Sequence, residues 1–297
     1  MSGAVVRLAP AKVNLALHVT GRRADGYHLI DSLVVFTRFG DRVTVDATTD
    51  DSFTATGRYS ADIPHDGTNL VLRARDALRD HAGSSRCGPV AIALEKNLPV
   101  ASGVGGGSSD AAATLKALDA LWDLRLGEPE LARIGLILGA DLPMCLHSRP
   151  LVACGIGDEL MLVANVQSLG LVLVNPGVAV PTPTVFAALE KRDNAPLPRL
   201  PRSLDFHGLR NWLDATRNDL EAPARTLEPV ICTAIRTLDR AGSGFSRMSG
   251  SGATCFGLFE TGNVAKRAAA EIRAKHPDWF VAATRSMASE DGADGPD

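Results

Sequence analysis

The sequence predicts a mixed α/β protein of the α+β type, arranged as two domains. Alternating apolar and polar residues run through the first fifty positions, as antiparallel strands with one packed face require. Between residues 90 and 122 a short strand pattern, a glycine-rich turn and a helical pattern follow one another, the order of a strand-loop-helix unit. Strand and helix patterns then intermingle again over 169–284, and 297 residues exceed what one hydrophobic core usually organises.

Along the chain, residues 13–20 place Val13, Leu15, Leu17 and Val19 on one strand face and Asn14, Ala16 and His18 on the other, with Lys12 just ahead on the polar face. Ala24-Asp25-Gly26 is a hairpin signal that returns a strand over 28–36, and 42–48 alternates strictly. The spacing of Leu70, Ala74 and Leu78 predicts a helix over 69–81. A strand over 90–94 feeds the glycine turn. Ser108, Ser109 and Asp110 are helix N-cap types, and Leu115, Leu118 and Trp122 follow at helical spacing, so a helix is expected over 109–122. Another covers 130–138, closed by Gly139 at C′.

Gly155-Ile156-Gly157-Asp158 reads as a boundary between domains of 1–159 and 160–288. Beyond it come a strand over 169–175, an N-cap Thr182 with Pro183 behind it, and a helix over 184–190. Three prolines make 192–203 an extended surface loop. Helices over 204–215 and 224–240, the turn Ser249 to Ala253, a strand over 254–259, a helix over 263–275 and a strand over 279–284 complete a two-layer α/β half. The acidic, glycine-rich tail 289–297 is expected to be disordered.

Composition narrows the function. A hydrophobic fraction of 45% excludes a disordered or fibrous chain, and a net charge of -3 gives no general footprint for nucleic acid, so a small-molecule partner is the expectation. Cys87, Cys145, Cys154, Cys232 and Cys255 are scattered and odd in number, which argues against both a disulfide framework and a zinc site. Arg7 and Lys12 interrupt the apolar N-terminus and no apolar run reaches membrane-spanning length, so a cytoplasmic protein without membrane contact is expected, a monomer or weak dimer.

The stretch 98–113, LPVASGVGGGSSDAAA, carries the clearest chemistry. Gly103, Gly105, Gly106 and Gly107 lack the Cβ barrier, so their backbone N–H groups can converge on an anion, and the helix behind them points its positive end the same way. A flexible linker or plain structural turn has the same composition; the immediate helix start favours anion binding. It is not a Walker A loop, because Gly107 is followed by Ser108 with no lysine. It is not a dinucleotide fingerprint either, since Ser108 stands where Gly or Ala is needed and no second strand fits before Asp123.

Three segments together resemble the motifs of the GHMP kinases, ATP-dependent small-molecule kinases: PAKVNLALHVTGRRADGYH (10–28), LPVASGVGGGSSDAAA (98–113) and SGSGAT (249–254). Within that family ADGYH and GADLP (139–143), with PGVAVPTPTVF (176–186) and NDLE (218–221), resemble the branch that acts on a cytidine-diphosphate-linked methylerythritol. The resemblance implies a mixed-sheet nucleotide-binding domain followed by a two-layer α/β domain. It implies that Asp141 accepts the substrate hydroxyl proton beside Lys12, and that Asn14, Tyr27, His28, Thr182 and Phe186 contact substrate. On the nucleotide side it implies Asn69, Lys96 and the loop Pro99, Val100, Ala101, Ser102, Gly103, Val104, Gly105, Gly106, Gly107, Ser108 and Ser109 for ATP. Mg2+ is implied at the phosphates, with Ser109 as the hydroxyl nearest it, and the Ser249–Ala253 turn as a brace for the loop. Taken singly, these residues have plainer readings: Asn69 as a helix cap, Lys96 and Lys12 as solvated strand lysines, Asp141 as a loop residue, Tyr27 and His28 as a half-buried pair. A homoserine- or mevalonate-type kinase and a non-catalytic nucleotide-binding module are the alternatives. Ala101-Ser102 depart from the glycines of the family pattern, which predicts a stiffer loop.

Overall fold

The computed structural model describes residues 3–289; most of the predicted disordered tail, 290–297, lies outside them. Ser289, assigned to that tail, is held in place: its N–H donates to the Val166 carbonyl at 3.1 Å and its hydroxyl to that of Val163 at 2.7 Å.

Two long strands begin the chain, β1 (Val5–Arg22) and β2 (His28–Ala47), paired antiparallel along almost their whole length. The two strands expected over 28–36 and 42–48 are thus one, because β2 continues through Gly40 instead of turning. β3 (Ser52–Thr56), α1 (Leu70–Ala82) and β4 (Val90–Glu95) follow, then three helices, α2 (Gly106–Leu121), α3 (Gly127–Leu138) and α4 (Leu142–His147), and the hairpin β5 (Leu151–Cys154) with β6 (Glu159–Leu162). Among the described residues these strands form a six-stranded mixed sheet in the order β3-β4-β2-β5-β6, with β1 on the other edge of β2 and β3 parallel to β4.

The proposed boundary at 155–158 needs correction. Those residues are the turn between β5 and β6, and β6 still pairs in the first sheet, so the chain leaves that sheet only after Leu162. β7 (Gly170–Asn175), α5 (Thr182–Ala187), α6 (Phe206–Asp214), α7 (Glu221–Leu227), α8 (Val230–Arg240), β8 (Phe245–Met248), β9 (Cys255–Phe259), α9 (Gly262–Lys275) and β10 (Phe280–Arg285) make the second half. Its strands form an antiparallel sheet ordered β10-β7-β9-β8. The single helix expected over 224–240 is two, broken at Glu228-Pro229 because proline cannot donate the N–H that helix continuity needs. Residues 192–203 form the expected irregular segment.

Strand alternation decides the layering. Leu171 and Leu173 of β7, Phe256 and Leu258 of β9, and Phe280 of β10 face Val13 and Leu15 of β1 and Val35 of β2 in one buried cluster between the two sheets. The opposite face of the first sheet, including Val34 and Phe36, packs on Leu78 of α1, Leu115 and Leu118 of α2, and Leu142 of α4. The opposite face of the second sheet, including Val172 and Val174, packs on Ile231 and Leu238 of α8 and Ile272 of α9. The order is helices, sheet, sheet, helices, and a one-residue slip of β1 would exchange the two faces.

Gly40 lets β1 and β2 cross closely: a Cβ there would lie 2.0 Å from the Ala9 carbonyl oxygen and 2.7 Å from Pro10 Cα, both rigid backbone. Gly40→Ala is therefore expected to destabilise the protein by about 2 kcal/mol or more, an overpacking effect, read as a lower urea midpoint; an unchanged midpoint would contradict this close approach.

Candidate active site

A cavity of about 1170 Å³ opens where the ends of β1 and β2, the glycine bend, α5 and the 249–253 turn meet. The bend is made by φ values of +78° at Gly103 and +65° at Gly105, in the region that glycine occupies freely. Gly105 is the N-cap, so α2 starts at Gly106, three residues earlier than the cap-type residues suggest, and Ser108, Ser109 and Asp110 lie inside its first turns. The N–H groups of Gly106, Gly107 and Ser108 consequently have no intrahelical acceptor, and these three residues face the cavity or its rim. Ala101 adopts φ +50°, a left-handed conformation that costs a residue with a Cβ roughly 1 kcal/mol or more, so the departure from glycine is accommodated with local strain.

A second turn locks the first. The Ser249 hydroxyl accepts from the Asn14 N–H at 3.1 Å and donates to the Gly103 carbonyl at 3.0 Å. Asn218 holds that turn by donating to the carbonyls of Met248 and Gly250 at 2.9 and 2.8 Å. A Cβ on Gly103 would stand 2.5 Å from the Ser249 carbonyl oxygen, so the two turns interlock without room for a side chain.

Lys12 joins this bend to the chemistry. Its backbone N–H donates to the Val104 carbonyl at 2.8 Å, and its ammonium donates to Asp141 Oδ2 at 2.7 Å. The Lys12 side chain is buried while that of Asp141 is 42% exposed, so the carboxylate presents its other face to the cavity. Burial alone would lower the Lys12 pKa; the Asp141 carboxylate outweighs it and holds the ammonium above its ordinary value. Asp141 occupies the N-cap position of α4 but makes no capping hydrogen bond with its side chain, which leaves the carboxylate to Lys12. Behind it the Cys145 thiol, raised by burial to about 12, is neutral.

Lys96, expected on the nucleotide side, is not a solvated strand end. It is buried, donating to Asp41 Oδ2 at 2.5 Å and Asp110 Oδ2 at 2.6 Å, and it forms part of the cavity wall from below. Gly106 makes room for it, since a Cβ there would come 3.1 Å from the Lys96 ammonium nitrogen. Asp41 also accepts from the N–H groups of Asn97 and Leu98 at 2.6 and 2.8 Å. Burial, and then the neighbouring Asp41, push the Asp110 carboxyl well above its ordinary range, against the pull of Lys96. Asn69 caps α1, accepting from the Val71 N–H at 2.8 Å, and donates to the Pro64 carbonyl at 2.7 Å while still lining the cavity.

At the far end Tyr27, 60% exposed, flanks His28, whose ring stacks on Phe186 at 4.7 Å and 24°. Burial, then the Arg22 and Arg192 guanidinium groups, hold the His28 pKa below its ordinary value, so the ring is neutral at pH 7. Thr182 is not a cap: it is the first residue of α5, and its hydroxyl lies 2.7 Å from that of Ser251. Asn14 donates to the Ser32 hydroxyl at 2.8 Å, while its Oδ1 is buried without a partner.

The cavity thus gathers Lys12, Asn14, Tyr27, His28, Asp141, Thr182 and Phe186 with most of the glycine bend. Pro99, Val104 and Ser109 stand back from it: Val104 is packed in the core between the sheets, Pro99 is buried and accepts from the Ser102 hydroxyl at 2.6 Å, and the Ser109 hydroxyl is buried without a partner. Sequence reading missed Asp41 and the role of Asp110. The available signal was an acid in the fully buried run Ser109 to Leu115, where an isolated charge is unfavourable and demands a partner.

The raised Asp110 pKa gives a signed pH effect. The folded protein keeps a proton that the unfolded chain releases, so from the ordinary value of 3.8 upward the unfolded state binds fewer protons and stability falls as pH rises. Asp110→Asn keeps an acceptor for Lys96 and removes that titration, so its stability relative to the wild type is expected to improve from pH 4 to pH 7, by roughly 1.4 kcal/mol per unit at most, in paired urea titrations. A difference independent of pH would contradict the assignment.

The chain is similar to known proteins along nearly its whole length. Residues 69–149 match the GHMP kinases N terminal domain and residues 200–278 the GHMP kinases C terminal model. The chain is 70% identical over 282 residues to the 4-diphosphocytidyl-2-C-methyl-D-erythritol kinase of Mesorhizobium japonicum, covering 95% of this chain and 96% of that one. It is 54% identical to the protein of the same name from Chelativorans sp., again covering 95% and 96%. A crystal structure of 4-(cytidine 5'-diphospho)-2C-methyl-D-erythritol kinase superposes with a TM-score of 0.77 at 35% identity, over 95% of this chain and 99% of that one. Homoserine kinase from Cytophaga hutchinsonii shares the fold at a TM-score of 0.67 and 15% identity, over 97% of this chain and 96% of that one. With such identity across nearly the full length of both chains, this protein belongs to the GHMP kinases, in the 4-diphosphocytidyl-2-C-methyl-D-erythritol kinase family.

Proposed function

We propose that this kinase transfers the γ-phosphoryl group of ATP to the 2-hydroxyl of 4-diphosphocytidyl-2-C-methyl-D-erythritol. The observation that carries the proposal is the Lys12–Asp141 pair at 2.7 Å, set in one cavity between the glycine bend and the Tyr27–His28–Phe186 end. The bend offers unpaired N–H groups and the positive end of α2, which suit a triphosphate. The aromatic end offers faces for a base and, at His28, a neutral ring nitrogen for its polar edge.

In this reading the acceptor hydroxyl sits against the open face of the Asp141 carboxylate. Its proton passes to the carboxylate as its oxygen bonds to the γ-phosphorus, and the bond to the departing ADP oxygen breaks. Phosphoryl transfer asks more for positioning and charge than for a strong base, so an ionised carboxylate fixed by an ammonium is adequate. Lys12, kept charged by Asp141, orients that carboxylate and adds positive charge beside the transferring group. Thr182 with Ser251 and Asn14 with Ser32 border the acceptor.

Mg2+ would neutralise the phosphate charge, held chiefly by the nucleotide's own oxygens: the Ser109 hydroxyl expected nearest it is buried at the first turn of α2 and does not line the cavity. No helix among the described residues is long and apolar enough to cross a membrane. We assign the first sheet with α1 to α4 as the nucleotide-binding domain and the second sheet with α5 to α9 as its partner.

The activity is tested by supplying ATP, Mg2+ and each candidate alcohol while following phosphorus NMR. Turnover of the cytidylyl compound is expected; turnover of homoserine or mevalonate in its place would overturn the proposal. Asp141→Asn is expected to lower kcat by about 100-fold or more while ATP affinity, measured by calorimetry, stays within a few fold. Undiminished turnover would remove Asp141 from the base role.

A further inference from the structure

Arg247, on β8, is a buried cation that no carboxylate pairs with among the described residues. Burial lowers its pKa to about 10, against the support of Glu221 and Asp214, neither of which forms an ion pair with it. What it holds instead is backbone. Its Nη1 donates to the Leu15 carbonyl and to the Thr216 hydroxyl, both at 3.0 Å, and its Nη2 donates to the carbonyls of Leu213 and Thr216 at 3.1 and 2.7 Å. A buried charge met only by dipoles is a poor source of stability, since an apolar side chain would fill the same space without the desolvation cost. Its use lies in what it fixes.

Leu15 is a bulge. Asn14 pairs with Val34 and Ala16 with Leu33, the adjacent residue of β2, so Leu15 is an extra residue in β1. Two neighbouring side chains, Leu15 and Ala16, consequently join the same cluster between the sheets, and the alternation of β1 breaks there. A bulge disrupts the ladder locally, and here the Leu15 carbonyl is taken by Arg247. The residue just before it is Asn14, whose N–H donates to Ser249 and whose amide nitrogen donates to Ser32, leaving Oδ1 buried and unpartnered in a residue that lines the cavity. The Ser32 hydroxyl in turn donates to the Ala16 carbonyl at 2.7 Å, on the far side of the bulge. The direction of the Asn14 amide therefore depends on the bend that Arg247 holds.

We propose that Arg247 is a positioning residue of the transfer step, which by fixing the Leu15 bulge sets the Asn14 amide against the acceptor alcohol. It rests on the reading above, in which Asn14 borders the acceptor. Arg247 itself does not line the cavity, so it acts only through Leu15 and Asn14.

The test is a double-mutant cycle on the full chain, with kcat and KM measured for ATP and for the cytidylyl alcohol. Arg247→Lys keeps the charge and loses the fork. It is expected to lower kcat about tenfold, within the range that misplacement of a group at a reacting centre produces. In an Asn14→Ala background the same change is expected to alter kcat by less than about twofold, because the contact it positions is already gone. Thr216→Val removes one acceptor of the fork and leaves the arginine in place, which keeps the cycle readable should the lysine variant not fold; its smaller loss is likewise expected to vanish in Asn14→Ala. Leu238→Ala, a core truncation on the far face of the second sheet, is expected to lower the urea midpoint at unchanged kcat. An equal fold loss from the Arg247 or Thr216 change with and without Asn14 would overturn the proposal and leave Arg247 a structural tie, as would an unchanged kcat. Failure of the kinase reading shows separately, as absence of turnover of the cytidylyl alcohol by the wild type.

Discussion

A buried ammonium must be paired, and Lys12 is where that constraint shapes the molecule. Its side chain is enclosed and can stay charged only against Asp141, which lies 129 positions away in the sequence. Its backbone N–H is committed to Val104 in the glycine bend. One residue therefore fixes the distance between the carboxylate and the phosphate cradle, and neither can move without breaking one of its hydrogen bonds. Gly105 has no Cβ for the same reason: one there would press on the Lys12 side chain at 3.1 Å.

That arrangement needs a rigid frame, and the frame is shared. β1 carries Lys12 and Asn14 on the face toward the site while Val13 and Leu15 pack against the second sheet. The Ser249 turn, anchored by Asn218, reaches back to Asn14 and Gly103. Arg247 ties β8 to β1 in turn, donating to the Leu15 carbonyl at 3.0 Å and to Thr216, with burial lowering its pKa to about 10. The two halves of the chain are thus joined through the walls of the cavity, where displacement would be felt at once by the reacting groups.

Legibility in the sequence followed the range of the forces involved. Val13, Leu15, Leu17 and Val19 announced β1, and Asn69 announced the start of α1, because alternation and capping are local. The start of α2 was misplaced because a glycine in the left-handed region, Gly105, opened the helix in place of the serines behind it. β2 looked like two strands because the close approach at Gly40 leaves no pattern until the Ala9-Pro10 backbone is placed against it. Lys96 and Asp110 were obscured for a different reason: their partner Asp41 comes from β2, and pairing across such separations has no sequence signature. The site's membership was legible through its motifs, but which side chains face the cavity and which, like Val104 and Ser109, lie behind it depends on packing that only the fold supplies.

The most direct measurement of the account is a crystal structure with a non-hydrolysable ATP analogue and the cytidylyl substrate bound together. It is expected to place the triphosphate on the N–H groups of Gly106 to Ser108 and the acceptor hydroxyl between the γ-phosphorus and the Asp141 carboxylate, with Lys12 still paired. A triphosphate seated elsewhere, or an acceptor remote from Asp141, would contradict the claim that Lys12 holds cradle and carboxylate in one reacting geometry.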